Sequence, residues 1–350
     1  MSNAFRELLK KVGSGPHTSK DLSRQEAADA MQAMLTQEAT PAQIGAFLIA
    51  HRIKRPTSEE LAGMLDVYDR LGSRLTSWEN APVVTIMGTP YDGRSRLAPV
   101  TVLTALILAA AGIPVIQHGG GVMPTKYGIP LVEIWQELGV DFTRLSLENA
   151  QSLLEKTGMG FLYLPQNFPL AHALTTYRDQ IGKRPPLATL ELIWPPYEGK
   201  FHLVAGFVHP PTEQFMQGTM ALRGANDYTL VKGLEGSCDL PRDRTAIISH
   251  FQLGNPEIQR LKLNAKDYDL GGKEVPLESK VQLIEQMQAI LQGKTPDLWK
   301  TALWNGGFYL WRCGSCADLN AGLAQAESLF ASGKVALYLA EIQKAIASFN

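Results

Sequence analysis

From Phe5 to Leu71, apolar and charged positions recur at helical spacing. Ile44, Leu48 and Ile49, then Leu61, Met64, Leu65 and Tyr68, line one side of a repeat whose other side is charged or polar. Three start signals punctuate the stretch: Ser23 before Arg-Gln-Glu, Thr40-Pro before Ala-Gln-Ile, and Thr57-Ser before Glu-Glu-Leu. Each places a side-chain oxygen where the first N–H groups of a helix lack partners. Residues 1–75 therefore read as a small helical domain. From Pro82 onward the period changes. Short runs at Pro82 to Met87, Phe161 to Leu164, Phe201 to Val204 and Thr229 to Lys232 alternate with helical stretches, and Val115-Ile-Gln starts another strand. That alternation predicts an α/β domain over residues 80–350.

Composition narrows the class without naming a function. At 350 residues the chain exceeds the usual single-domain size. Its net charge of −1 argues against general affinity for polyanions and leaves room only for a local basic stripe. The longest apolar run, near Thr104 to Ile113, falls short of the ~20 residues a membrane span needs. No basic segment with an uninterrupted apolar core opens the chain, so a soluble, cytoplasmic protein is expected. Three cysteines fit a reducing compartment. Cys313-Gly-Ser-Cys316 has redox or half-metal spacing but no second Cys/His pair nearby, and reads as two thiols at a helix end.

Two loops carry the candidate chemistry. Val115-Ile-Gln-His-Gly-Gly-Gly-Val-Met-Pro-Thr-Lys-Tyr-Gly128 follows an apolar helix and turns through three glycines, either to cradle an anion with backbone amides or as an ordinary connection. The strand at Pro82 to Met87 runs into Gly88-Thr-Pro-Tyr-Asp-Gly-Arg-Ser-Arg96 before a helix near Pro99. A glycine-rich loop at a helix start presents free N–H groups to an anion, with Asp92 for a ribose hydroxyl or metal and Arg94 and Arg96 for phosphate.

These loops resemble those of the anthranilate phosphoribosyltransferase family, which joins phosphoribosyl diphosphate to an aromatic amine. The family's Gly-Thr-Gly-Gly-Asp-Gly is matched by Gly88, Thr89, Asp92 and Gly93, with Pro90 and Tyr91 replacing the middle glycines. Its Lys-His-Gly-Asn-Arg loop is matched by His118 and Gly119, with Gln117, Gly120 and Gly121 replacing the lysine, asparagine and arginine; Thr125 and Gly128 continue the pattern, and Lys126 lies beyond it. Tyr177-Arg-Asp-Gln-Ile-Gly-Lys-Arg184 is similar to the segment holding the arginine for the aromatic acid, which places that role on Arg178. Of the family's acidic Mg²⁺ pair Glu235 alone remains, since Gly236 stands at the other position, and of its hydroxyl ligands at the helix start Thr101 remains.

The resemblance implies a helical domain packed on an α/β domain with a mixed, mostly parallel sheet, part of residues 168–190 returning to the helical domain. It further implies a phosphoribosyl diphosphate ligand, Mg²⁺, and catalytic roles for His118 and Arg178. The replacements predict that transfer to anthranilate is absent or very slow. The alternative is a nucleic-acid-binding, non-catalytic paralogue with Lys10, Lys11, the His51-Arg-Ile-Lys-Arg55 run, Arg94 and Arg96 as phosphate contacts. A homodimer is expected through the helical domain, because Leu8, Leu9, Met31, Met34, Leu35, Leu48 and Ile49 exceed what short helices bury alone.

Overall fold

The computed structural model describes residues 3–15, 17–88, 93–225, 227–252 and 255–349. Four helices open the chain: α1 (Asn3–Gly13), α2 (Arg24–Leu35), α3 (Pro41–Lys54) and α4 (Ser58–Leu71). The three start signals are complete capping boxes, Ser23 with Glu26, Thr40 with Gln43 and Thr57 with Glu60, each satisfying orphan donors at both positions. Within the domain α2 packs on α4 and α1 on α3. Met31, Met34, Leu35 and Leu48 are buried between these helices, and Leu8 and Leu9 pack partly buried against the same core. Of the apolar side chains named for a dimer interface, Met31, Met34, Leu35 and Leu48 are thus covered within the chain, while Leu8, Leu9 and Ile49 stay partly exposed.

The larger domain begins with β1 (Val84–Gly88), α5 (Thr101–Ala110), β2 (Val115–Gly119), α6 (Leu131–Glu137), α7 (Leu147–Thr157) and β3 (Met159–Tyr163). Four short helices follow: α8 (Leu164–Asn167), α9 (Pro169–Ala173), α10 (Thr175–Ile181) and α11 (Leu187–Leu192). Next come β4 (Phe201–Gly206), α12 (Pro210–Leu222), β5 (Tyr228–Val231), β6 (Ala246–Gln252) and β7 (Asn255–Leu263). Helices α13 (Lys280–Leu291), α14 (Trp299–Arg312), α15 (Leu319–Ala331) and α16 (Lys334–Ala347) close the chain.

The strands form one sheet in the order β3-β2-β1-β4-β5-β6-β7, parallel from β3 to β5 and antiparallel beyond. The fold is therefore a helical domain plus an α/β domain with a mostly parallel, mixed sheet. Every residue of β1 and β2 is buried, as expected of parallel strands covered on both faces. The long apolar run is α5, buried along all its length under α14 and α16. It is a core helix, and among the described residues no helix is long and apolar enough to cross a membrane.

Contacts on two sides seat the helical domain. Arg223, just past the end of α12, pairs with Asp66 and Asp69 of α4, while Arg24 reaches Asp66 at 2.7 Å. On the other side, the Tyr177 hydroxyl donates to Gln37 at 2.6 Å, and Arg52 Nε donates to the Arg184 carbonyl at 3.0 Å. The cleft between the domains lies beyond the C-terminal ends of β1 and β4. There the strand order reverses, which is the usual ligand crevice of such sheets.

Candidate functional site

Strands β1, β2 and β4 end in Gly88, Gly119 and Gly206. A Cβ on Gly88 would lie 1.9 Å from the Leu192 carbonyl oxygen, and one on Gly206 would lie 2.1 Å from that of Ser237. Backbone therefore meets backbone at these strand ends, and only glycine fits. At the close of the first loop a Cβ on Gly93 would lie 2.4 Å from the Ile129 carbonyl oxygen, and Ile129 N–H donates to the Arg94 carbonyl at 3.0 Å. The two loops named from sequence are thus joined at their far ends. Thr89 and Asp92, with Pro90 and Tyr91 between them, lie outside the described residues.

Charged groups knit the loops to the turn after β5. Arg94 is 3% exposed and donates to Asp239 Oδ2 at 2.6 Å, with its Nε 3.6 Å from Glu235. Asp239 also accepts from the Val100 N–H at 3.0 Å and the Thr101 hydroxyl at 2.9 Å. Glu235 accepts the backbone N–H groups of Ser95, Arg96 and Leu97, the last at 2.9 Å, and lies 3.5 Å from the largely exposed Arg96. Lys126 Nζ donates to the Glu235 carbonyl oxygen at 3.1 Å. Burial alone would raise the Glu235 carboxyl, but the hydrogen bonds from Leu97, Ser95 and Arg96 outweigh it and hold the group below its usual range.

The residue expected to hold the metal is drawn into this network. Both Glu235 oxygens accept from N–H donors, and both Asp239 oxygens accept hydrogen bonds as well. Among the described residues no cluster of His, Cys, Asp and Glu can hold a metal ion. Glu235 instead pins the loop of residues 95–97. Thr101 serves the same network as a donor to Asp239, which leaves it occupied in this arrangement.

The second loop begins at the buried end of β2. His118 is wholly buried with neither ring nitrogen hydrogen-bonded among the described residues, set edge-on to Trp194 at 5.4 Å between ring centroids. Burial pushes its pKa down to about 3, so the imidazole is neutral near pH 7. Gln117 is buried beside it, accepting from the Trp135 indole at 2.9 Å. Gly119 closes β2 in register with Tyr163, and Gly120 is buried beyond it. Thr125 is exposed with φ 79°, an uncommon backbone state for a β-branched residue.

Arg178, 1% exposed, is held by Glu191 on α11: Nη1 donates to Oε2 at 3.0 Å and Nη2 to Oε1. The Tyr68 hydroxyl approaches the same carboxylate at 3.4 Å. The guanidinium face expected for an acceptor carboxylate therefore holds an internal one. Sequence reasoning missed Glu191, although a lone acid within Leu187 to Trp194 is a signal, because a charge in an apolar run needs a buried partner.

The basic residues named for nucleic acid are mostly paired as well. Lys11 meets Glu26 at 2.6 Å, Lys10 meets Glu7 at 2.7 Å, and both His51 and Lys54 converge on Glu60, at 3.2 and 3.0 Å. With Arg94 on Asp239 and Arg96 near Glu235, only Arg52 and Arg55 of that set stand clear of a carboxylate among the described residues.

Residues 6–72 match the helical bundle domain of the glycosyl transferase family, and residues 80–336 match that family's a/b domain. An anthranilate phosphoribosyltransferase of Afipia carboxidovorans is 29% identical over 345 residues, 97% of each chain. An uncharacterised protein of Aquifex aeolicus is 26% identical over 310 residues, 88% of this chain and 93% of its own. In fold, the chain is similar to anthranilate phosphoribosyltransferase from Thermus thermophilus, with TM-score 0.78, 21% identity and coverage of 99% and 100%. It is also similar to the enzyme from Saccharomyces cerevisiae in complex with PRPP and Mg, with TM-score 0.80, 17% identity and 98% coverage of each. Matched in both domains and along nearly its whole length, the chain belongs to the glycosyl transferase family that includes the anthranilate phosphoribosyltransferases.

Proposed function

We propose that the chain is a phosphoribosyltransferase-family protein that binds a phosphorylated ribosyl ligand at the loops following β1 and β2, and that its transfer to anthranilate is absent or very slow. Family membership and the close-packed glycines Gly88 and Gly93 support the first part. The observation that carries the second is the pair between Arg178 and Glu191. An incoming aromatic carboxylate would have to displace a buried carboxylate already bonded at both oxygens. The burial of His118 and the commitment of Glu235 and Asp239 act in the same direction, because cooperating groups lost together are seldom replaced by the remainder.

Calorimetric titration with phosphoribosyl diphosphate, with and without Mg²⁺, tests the first part, and heat of binding is expected. Absence of heat at millimolar ligand removes it. For the second part, purified protein with phosphoribosyl diphosphate, Mg²⁺ and anthranilate is expected to form no phosphoribosyl anthranilate above background. Efficient turnover, or rescue of a tryptophan auxotroph, would overturn it. Nucleic-acid binding is a second reading with Arg52 and Arg55 in its favour. A gel shift whose affinity falls steeply with salt would raise it above the first.

A further inference from the structure

A cleft of about 740 Å³ opens where the segment between β7 and α13 meets the start of α14, and its volume lies within the roughly 300–1,000 Å³ typical of small-molecule sites. It shares no lining residue with the interdomain cleft or with the small cavity beside Gly93 and Thr101. One wall is fixed by backbone: the Ala98 N–H donates to the Val275 carbonyl oxygen at 2.9 Å, and the Leu277 N–H to that of Arg96 at 2.8 Å.

Charges of both signs line the cleft, Arg242, Lys273 and Lys300 against Glu274 and Asp297. They are not spent on one another, for none of the five forms an ion pair among the described residues. Arg242 is only 5% exposed; its Nε donates to the Leu270 carbonyl oxygen at 2.6 Å and its Nη1 to the Thr301 hydroxyl at 3.1 Å, which leaves Nη2 without an acceptor among the described residues. A Cβ on Gly272 would lie 3.2 Å from that Nη2, so the glycine keeps it uncovered. Glu274 commits Oε1 to the N–H groups of Arg242 and Asp243, the second at 3.1 Å, and has Oε2 to spare. Burial raises its carboxyl above the usual range, and a cation alongside favours the ionised form. Lys273 and Asp297 are exposed and make no side-chain hydrogen bond among the described residues. Trp299, set edge-on to Phe330 at 5.1 Å between ring centroids, adds an aromatic wall.

A simple anion entering this cleft meets two carboxylates, and a simple cation meets three basic groups. A chain terminus brings one charge alone. A free α-amino acid carries carboxylate and ammonium on a single carbon, which answers both sets at once, and an apolar side chain suits the indole. We propose that the cleft binds a free α-amino acid with an apolar side chain, its carboxylate on Arg242 and Lys273, its ammonium on Glu274 and Asp297, and its side chain against Trp299. The site stands whatever the loops after β1 and β2 hold.

The probe is L-phenylalanine, titrated calorimetrically into the full chain at neutral pH. Millimolar or tighter binding is expected. 3-Phenylpropionate, which lacks the ammonium, and L-phenylalaninamide, which lacks the carboxylate, are each expected to bind at least tenfold more weakly. Lys273→Gln/Asp297→Asn is expected to weaken L-phenylalanine at least tenfold and, because both side chains are exposed, to keep the parent's circular dichroism and melting curve. Should the double variant lose its fold, Lys273→Gln alone takes its place, with weaker binding again expected. Silence at millimolar L-phenylalanine, either analogue binding as tightly as the amino acid, or undiminished binding in the folded variant would each overturn the proposal.

Discussion

Arg178 and Glu191 are individually costly to bury and jointly tolerable, because each satisfies the other's charge and hydrogen bonds. Arg178→Met leaves the Glu191 carboxylate in a site that water does not reach. It is expected to lower stability by about 3–5 kcal/mol, while Arg178→Met/Glu191→Leu recovers most of that loss. Urea denaturation of the two variants checks this, and equal loss in both would show that the pair is not the cause. Tyr68, buried against the same carboxylate, has its hydroxyl pushed well above the ordinary phenol range, by burial first and Glu191 second. It stays a neutral donor at any pH the fold survives. The pair with Glu191 could not be read from the likeness at Arg178, because the acid lies on another helix.

Helices α14 and α15 approach each other through glycine. A Cβ on Gly322 would lie 2.2 Å from the Gly307 carbonyl oxygen, and one on Gly307 would lie 2.7 Å from Leu323 Cα. Backbone cannot yield as a flexible side chain can, so Gly322→Ala forces the pair apart. It is expected to cost about 1–3 kcal/mol, with a lower midpoint in a thermal scan; an unchanged midpoint would mean the helices are free to shift. At this scale the sequence was most legible where the signal is local. Ser23, Thr40 and Thr57 announced their helices because a cap bonds within three residues, and Val84 to Gly88 announced a strand because β-branched residues fit a pleated, buried surface. The antiparallel β6 and β7 went unread, although Ala246 to Gln252 and Asn255 to Leu263 follow one another closely. The site was least legible, since Arg94 meets Asp239 across 145 positions and Arg178 meets Glu191 across two short helices. No spacing rule reports such pairs.

Over the whole molecule the shifted groups act together on acid stability. Burial holds His118 at about 3 and, with Arg312 and His202 nearby, His250 at about 4, against 6.5 for an unperturbed imidazole. Both folded values are depressed, so as pH falls below 6.5 the unfolded chain takes up protons that the folded chain refuses, and stability declines. For His118 the slope is about 1.4 kcal/mol per pH unit until pH nears its folded value. Glu60 adds a second stage. Burial opposes its ionisation, but His51 and the N–H groups of Leu22 and Thr57 bring it down to about 2 from 4.5, so its contribution is lost as pH falls from 4.5 towards 2. Chemical denaturation from pH 7 to pH 4 is expected to show the decline, with a shallower slope in His118→Gln; an unchanged slope would relocate the effect. The long reach of the Glu235 contacts has a consequence in time. Ser95, Arg96 and Leu97 leave the ribosome well before Glu235, about 140 residues upstream of their acceptor. The helical domain has its caps and packing partners within reach as soon as α4 is made, whereas the segment after β1 waits for β4 and β5 to be laid beside it. The segment after β1 is therefore anchored only once β5 and the turn after it have been made. A chain interrupted before residue 235 carries a finished helical domain and an unanchored loop.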